Sequence, residues 1–130
     1  MVIELSELKI DKFKEEILAK REIRNALYTW AKDQGSHHAM WIRLQRVMLS
    51  NGLKHVSLPK LNIEVWLKAG RMIFDIVDMN AVSLDNCCPF CGASMMENGH
   101  VIYIHPGLNH ERHVYGCTCG RFYTATWEVD

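Results

Sequence analysis

The sequence predicts an α+β protein in which a helical N-terminal part precedes an antiparallel β part. Apolar residues recur at helical spacing between residues 12 and 50, whereas apolar and polar residues alternate in short segments after residue 100. All five cysteines lie between Cys87 and Cys119, so the chemistry of the chain changes near residue 85. We therefore predict two domains, residues 1–85 with about three helices and residues 86–130 with strands.

Composition places the chain among ordinary globular proteins. It has 130 residues, 48% hydrophobic and 23% charged, with 15 basic and 15 acidic side chains. Its longest uncharged stretch, residues 98–110, falls short of the roughly 18 apolar residues that a membrane helix needs. The first residues are acidic and lack the basic and apolar regions of a secretory signal. We expect a cytoplasmic protein with no membrane contact.

Two helices are predicted from capping residues and apolar spacing. Asp11 can cap a helix over residues 12–32, which Gly35 ends. Ser36 can cap a second helix over residues 37–50, which stops at Asn51-Gly52. The apolar side chains of this second segment share one side, so that it is amphipathic.

Residues 64–78 admit two interpretations. Five charged residues lie within roughly 80° of one another if the segment is helical, namely Glu64, Lys68, Arg71, Asp75 and Asp78. The alternative is a hairpin that turns at residues 68–71, because the isoleucines and valines on either side suit strands. The charged stripe favours the helix.

Two cysteine pairs carry the strongest chemical signal. The first is Cys88-Pro89-Phe90-Cys91-Gly92 and the second is Cys117-Thr118-Cys119-Gly120. Four thiols in two tight turns fit one tetrahedral zinc ion, and a glycine after each pair lets the backbone turn there. An odd number of cysteines without a secretory signal favours metal over disulfides. Cys87 is the alternative to Cys88, but the spacing and the following glycine favour Cys88. Free thiols, or a histidine that replaces one ligand, remain the alternatives to four-cysteine zinc.

Strand-like segments at residues 100–105, 112–116 and 121–127 separate and follow the two pairs. Two such knuckles joined by strands resemble a zinc ribbon over residues 86–130. The resemblance implies one structural Zn²⁺ held by Cys88, Cys91, Cys117 and Cys119, with no coordination position left for a substrate. It implies no particular partner, because ribbons serve many functions. The single residue between Cys117 and Cys119 departs from the usual spacing of two.

The histidines offer a weaker metal hypothesis. His105 and His110 flank residues 106–109, a predicted hairpin tip that would set the two imidazoles opposite each other. Such a pair could take a second metal, although surface residues are the favoured interpretation. His37 and His38 are interpreted as a solvated first helical turn.

Charge is distributed unevenly along the chain. Residues 20–60 contain eight basic and two acidic side chains, whereas residues 86–130 contain two basic and four acidic ones. Phosphate binding depends on cations, so a nucleic-acid surface would lie in the helical half. Its candidate residues are Arg43, Arg46, Lys54 and Lys60.

No catalytic trio, phosphate loop or His-x-Glu deaminase motif can be assembled, so the sequence predicts no enzyme and indicates no small-molecule substrate. The favoured function is a small non-enzymatic regulator or adaptor that docks on a larger protein and inhibits or redirects it, as suits a bacterium or a bacteriophage. The alternative is a DNA- or RNA-binding transcriptional regulator that uses residues 20–60.

Overall fold

The structure, a computed structural model, describes the backbone of residues 2–129 and the side chains of residues 14–129. Its helices are α1 (Val2–Asp33), α2 (His37–Ser50) and α3 (Met95–Asn98). Its strands are β1 (His55–Leu58), β2 (Ile63–Lys68), β3 (Arg71–Ile76), β4 (Gly99–His105), β5 (His110–Cys117) and β6 (Phe122–Glu128). The strands form two antiparallel sheets of three, in the orders β1-β2-β3 and β4-β5-β6. The predicted α+β class is confirmed.

The two long helices pack against each other and are joined by a three-residue connection. α1 begins at Val2, so the prediction that Asp11 caps it is wrong, and Asp11 lies within the helix. Its last turn closes where Gln34 adopts a left-handed φ of 49° and its N–H donates to the Trp30 carbonyl at 2.7 Å. α2 has the predicted bounds, and the Ser36 hydroxyl accepts from the Ala39 N–H at 3.2 Å as an N-cap.

The prediction of a helix over residues 64–78 is wrong, because β2 and β3 form a hairpin there. It turns at Ala69 and Gly70, with φ of 48° and 75°. The four-residue steps from Glu64 to Lys68 and from Arg71 to Asp75 fit both a helix face and one side of a strand, since four is an even number, and the step between Lys68 and Arg71 contains the turn. Glu64 pairs with Asp75 and Lys68 with Arg71, so these four charges share one side, whereas Asp78 lies beyond β3. The opposite side is buried and holds Ile63, Val65, Met72, Phe74 and Ile76.

Contacts cross residue 85 and join the helices to the second sheet. The Trp30 ring of α1 stacks on the Phe122 ring of β6, with centroids 6.2 Å apart and planes 8° apart. The buried Asn62 side chain donates to the Phe122 carbonyl at 2.9 Å and accepts from the Asp78 N–H at 2.7 Å. The Phe122 N–H in turn donates to the Leu61 carbonyl at 2.8 Å. The division at residue 85 stays a prediction, and these contacts lead us to expect that the two parts unfold together.

An ion pair also joins the two sheets. The Arg112 guanidinium of β5 donates to both carboxylate oxygens of Asp75 on β3, and the Ile76 N–H donates to Oδ1 at 2.8 Å. His105 Nε2 lies 3.7 Å from Asp75 Oδ2. Burial raises the pKa of Asp75, but the hydrogen bonds and the charge of Arg112 outweigh it and hold this pKa below its ordinary value.

Within residues 2–129, no helix combines the length and the apolar character that a membrane crossing demands.

We predict that Asp75→Asn lowers the free energy of unfolding by about 2 kcal/mol at pH 7, the typical value of hydrogen bonds to a charged group. The folded-state pKa of Asp75 lies below its unfolded value, so this contribution is present above the ordinary pKa of about 4 and disappears as the pH falls through the folded pKa. Urea unfolding at pH 7, 5 and 3 measures it.

The exposed Asp85 provides the control, since Asp85→Asn makes the same chemical change without an ion pair among the described side chains. The difference between wild type and Asp75→Asn should shrink towards pH 3. A difference that stays constant with pH would contradict the assignment.

Candidate metal centre

The first knuckle is a tight loop in the segment between the two sheets. The Cys88 N–H donates to the Ala93 carbonyl at 2.9 Å, and the Gly92 N–H donates to the Cys88 carbonyl at 2.9 Å. Gly92 closes the loop with a φ of 77°, a conformation that favours glycine. The Phe90 N–H points at the Cys88 sulfur, 3.4 Å away. The loop therefore presents both cysteines of the pair on one side.

The second knuckle closes in the same way with one residue fewer. It begins at Cys117, the last residue of β5, whose N–H donates to the Arg121 carbonyl at 3.0 Å. The Gly120 N–H donates to the Cys117 carbonyl at 2.8 Å, and Gly120 has a φ of 93°. The Cys119 N–H lies 3.5 Å from the Cys117 sulfur. The unusual spacing of the second pair is thus accommodated by a shorter version of the first loop.

The two knuckles bring four sulfur atoms together. All four Sγ atoms, of Cys88, Cys91, Cys117 and Cys119, lie within 4.8 Å of one another. Cys88 and Cys119 are 3.9 Å apart, and Cys91 and Cys117 are 3.6 Å apart. A tetrahedral zinc ion with Zn–S bonds of 2.3 Å requires sulfurs about 3.8 Å apart, so the group fits this ion. These are the four cysteines that the sequence singled out.

Burial sets the acidity of these thiols in the absence of a cation. It raises the pKa values of Cys88, Cys117 and Cys119. The Ala93 N–H, which donates to the Cys91 sulfur, lowers the pKa of this more exposed thiol. Four thiolates so close together need a cation to offset their mutual repulsion, which is the chemistry of a metal ligand set.

Cys87 lies outside the four-sulfur group. Its Sγ is 3.5 Å from the Asp85 carbonyl, and its backbone pairs with Leu84 and Ser94. It therefore shapes the entry to the first knuckle without offering a ligand.

The predicted opposition of His105 and His110 is wrong. Residues 106–109 do form the hairpin tip, but the register pairs His105 with Arg112 and His110 with Glu128. Pairs across this hairpin are therefore displaced by two residues from the predicted arrangement. His105 Nε2 instead lies 2.8 Å from the Phe74 carbonyl, on the neighbouring sheet. His37 and His38 begin α2 and are exposed, as expected.

The four basic candidates do not share one groove. Arg43 and Arg46 of α2 line a shallow groove with Glu22, and Arg43 Nε lies 3.8 Å from a Glu22 carboxylate oxygen. Lys60 lines a different groove, beside Arg24. Lys54 is exposed just before β1.

Sequence reasoning missed a hydrogen-bonded link between α1 and the metal centre. The Asn98 carbonyl accepts from the Gln34 side-chain amide at 2.8 Å and from the Thr118 N–H at 3.0 Å. The Thr118 hydroxyl also contacts Asn98 Oδ1 at 3.1 Å. Thr118 lies inside the second knuckle, so the end of α1 is tied to it. No local pattern relates residues 34, 98 and 118.

No family model matches the chain, and comparisons with curated proteins and with solved structures return no match. The fold and the site define a class by themselves, an α+β protein with a four-cysteine centre capable of holding one metal ion.

We predict one zinc per chain after metal-replete purification, measured by elemental analysis. Cys91→Ser should reduce the content to below about half an equivalent, because a hydroxyl is a poor substitute for a thiolate at a structural zinc site. Cys87→Ser is the matched control and should keep the full equivalent. Equal losses in both variants would show that the ligand set is wrong.

Proposed function

We propose that this protein is a non-enzymatic regulator or adaptor, built around one structural Zn²⁺, that docks on a larger protein. Its partner surface is the segment around the first knuckle, and binding there inhibits or redirects the partner. The exposed apolar side chains of this segment are the observation that carries the proposal.

The four-sulfur group supports a structural role for the metal. Four cysteine ligands fill a tetrahedral sphere, whereas catalytic zinc keeps a position open for water or substrate. Cys88 and Cys117 are also almost fully buried, at 3% and 1% exposure. A centre of this kind stabilises loops and leaves recognition to the surface around them.

We define the knuckle surface as Leu84, Phe90 and Met96, which lie on the segment that carries the first cysteine pair. Leu84 is 76% exposed and Met96 is 84% exposed. Aromatic and methionine side chains are enriched in protein interfaces relative to the rest of the surface. The Arg121 guanidinium lies 5.2 Å from the Phe90 ring centroid, which adds the aromatic and arginine anchors common at binding hot spots.

The backbone around these residues is well fixed. Leu84 pairs with Cys87, and Cys87 pairs with Ser94, in two isolated bridges. The Met95 N–H donates to the Asn86 carbonyl at 2.8 Å. A fixed backbone reduces the entropy lost on binding, and this supports a docking role for the segment.

For the alternative, a DNA- or RNA-binding regulator that uses residues 20–60, the four candidate residues Arg43, Arg46, Lys54 and Lys60 offer less support as one binding surface. Glu22 lies beside Arg43, and the four side chains do not share a groove.

The proposal predicts that the protein captures a protein partner from native lysate and that nuclease does not reduce this capture. Leu84→Asp combined with Met96→Asp should abolish it, since charges would replace the apolar contacts. Leu108→Asp is the matched control, because Leu108 is 99% exposed at the hairpin tip, away from the first knuckle in sequence. Quantitative mass spectrometry of the bound fraction measures the effect.

Loss of capture on nuclease treatment would favour the nucleic-acid alternative. Equal capture by the double variant and the wild type would show that the knuckle surface is not the docking site.

A further inference from the structure

The exposed surface of α1 is divided by charge. At 100° per residue, Lys20, Arg21, Arg24 and Lys32 fall within an arc of about 120°, with Glu16 about 40° beyond Lys20, whereas Glu15, Glu22 and Asp33 fall within about 20° of one another on a different side. The overall composition does not reveal this uneven distribution, because the chain has equal numbers of basic and acidic residues.

Two acidic side chains of α1, Glu22 and Asp33, lie beside the basic residues of α2. Glu22 contacts Arg43 and lines a groove with Arg46, and Asp33 lines the neighbouring cleft with Arg43. Arg43 of α2 therefore has a carboxylate of α1 beside it.

The basic side chains of α1 lie beside the turn between β1 and β2. There, one groove is lined by Lys20, Arg21 and Arg24 together with Leu58, and a second by Arg24, Tyr28 and Lys60. The two grooves share Arg24 and run along the helix one after the other. We call Lys20, Arg21, Arg24, Lys32 and Lys60 the basic edge.

The basic edge is not neutralised by the side chains around it. Among residues 14–129, no carboxylate oxygen lies within 4.0 Å of any of these five cations. Lys20 and Arg24 are four residues apart, so they follow each other at about 6 Å along the helix axis. A row of cations without carboxylate partners complements the phosphates of a nucleic-acid strand.

An exposed aromatic ring lies within this row. Tyr28 is 40% exposed, four residues after Arg24 and four before Lys32. Lys32 Nζ lies 3.2 Å from the Tyr28 hydroxyl and 5.1 Å from the ring centroid. The ring also packs on Gly120 of the second knuckle so closely that a Cβ there would overlap it. The metal centre thus helps to hold the ring in place.

We propose that the basic edge binds single-stranded nucleic acid, with the cations on the phosphodiester backbone and a base against Tyr28. An aromatic ring beside a cationic groove is typical of single-strand binding, because an unpaired base has a free face for stacking. Because aromatic rings also serve protein interfaces, competition with polyglutamate is included in the test to distinguish an acidic protein segment from a nucleic-acid strand. This inference goes beyond the docking function and does not depend on the knuckle surface.

The test is fluorescence anisotropy of the full-length, zinc-loaded protein with a labelled 20-nucleotide mixed-sequence DNA strand and with its duplex. The strand should bind with a dissociation constant of about 1–100 μM at 50 mM KCl. Lys20→Gln combined with Arg24→Gln should weaken binding about tenfold, and the slope of log affinity against log salt should decrease by about 1.4, since each phosphate contact contributes about 0.7 on a single strand.

Arg43→Gln combined with Arg46→Gln is the matched control, which removes the same charge from α2 and should change affinity less than about threefold. Tyr28→Leu should weaken single-strand binding about fivefold or more and leave duplex binding unchanged. Circular dichroism and zinc content establish that each variant is folded.

Several results would overturn the proposal. The first is the absence of strand binding at 100 μM protein and about 50 mM KCl. The second is an equal loss of affinity in the two double variants. The third is duplex binding as tight as single-strand binding. Displacement of the strand by polyglutamate of equal charge, at equal concentration, would assign the edge to an acidic protein segment instead.

Discussion

Four sulfur atoms within 4.8 Å of one another impose the main constraint on this structure. As thiolates, four groups at this separation would repel each other, and a bound cation would offset their charge. Two loops about 30 residues apart in the chain must also meet, and each does so through a glycine with a left-handed φ. The strands between the loops are antiparallel and bring the loops to the same end of the sheet.

Other parts of the molecule depend on that meeting point. The second knuckle contacts α1 twice, through the Tyr28 ring on Gly120 and through Thr118 and Asn98 to Gln34. Farther away, Asn62 and Asp75 join the first sheet to the second. A metal bound at the proposed site would therefore stabilise the helices as well as the two knuckles. The proposed single-strand surface shares this dependence, because Tyr28 lies between the basic edge and the second knuckle.

The sequence predicts best what local spacing determines. The two cysteine pairs, the glycine after each pair and the Ser36 cap are short-range signals, and the structure brings the predicted residues together. The sequence predicts poorly where the helical and strand periodicities place the same residues on one side. This happens in residues 64–78, where Glu64 and Lys68, and likewise Arg71 and Asp75, share a side in either structure. Long-range pairs give no local signal. Asp75 and Arg112 are 37 residues apart, and their ion pair depends on how the sheets pack. The displaced partners of His105 and His110 follow from hairpin register, which the turn geometry determines.

The most direct test of this account is thermal unfolding of the reduced protein with one equivalent of zinc and with excess chelator. Circular dichroism at 222 nm follows the helices, and tryptophan fluorescence follows the packing around the four tryptophans, of which Trp30 is buried. Zinc should raise the Tm by at least about 10 °C, because binding energy at such a site is folding energy. The two signals should change in one coincident transition. An unchanged Tm in chelator, or a helical transition that zinc does not shift, would contradict the claim that the metal centre holds the two parts together.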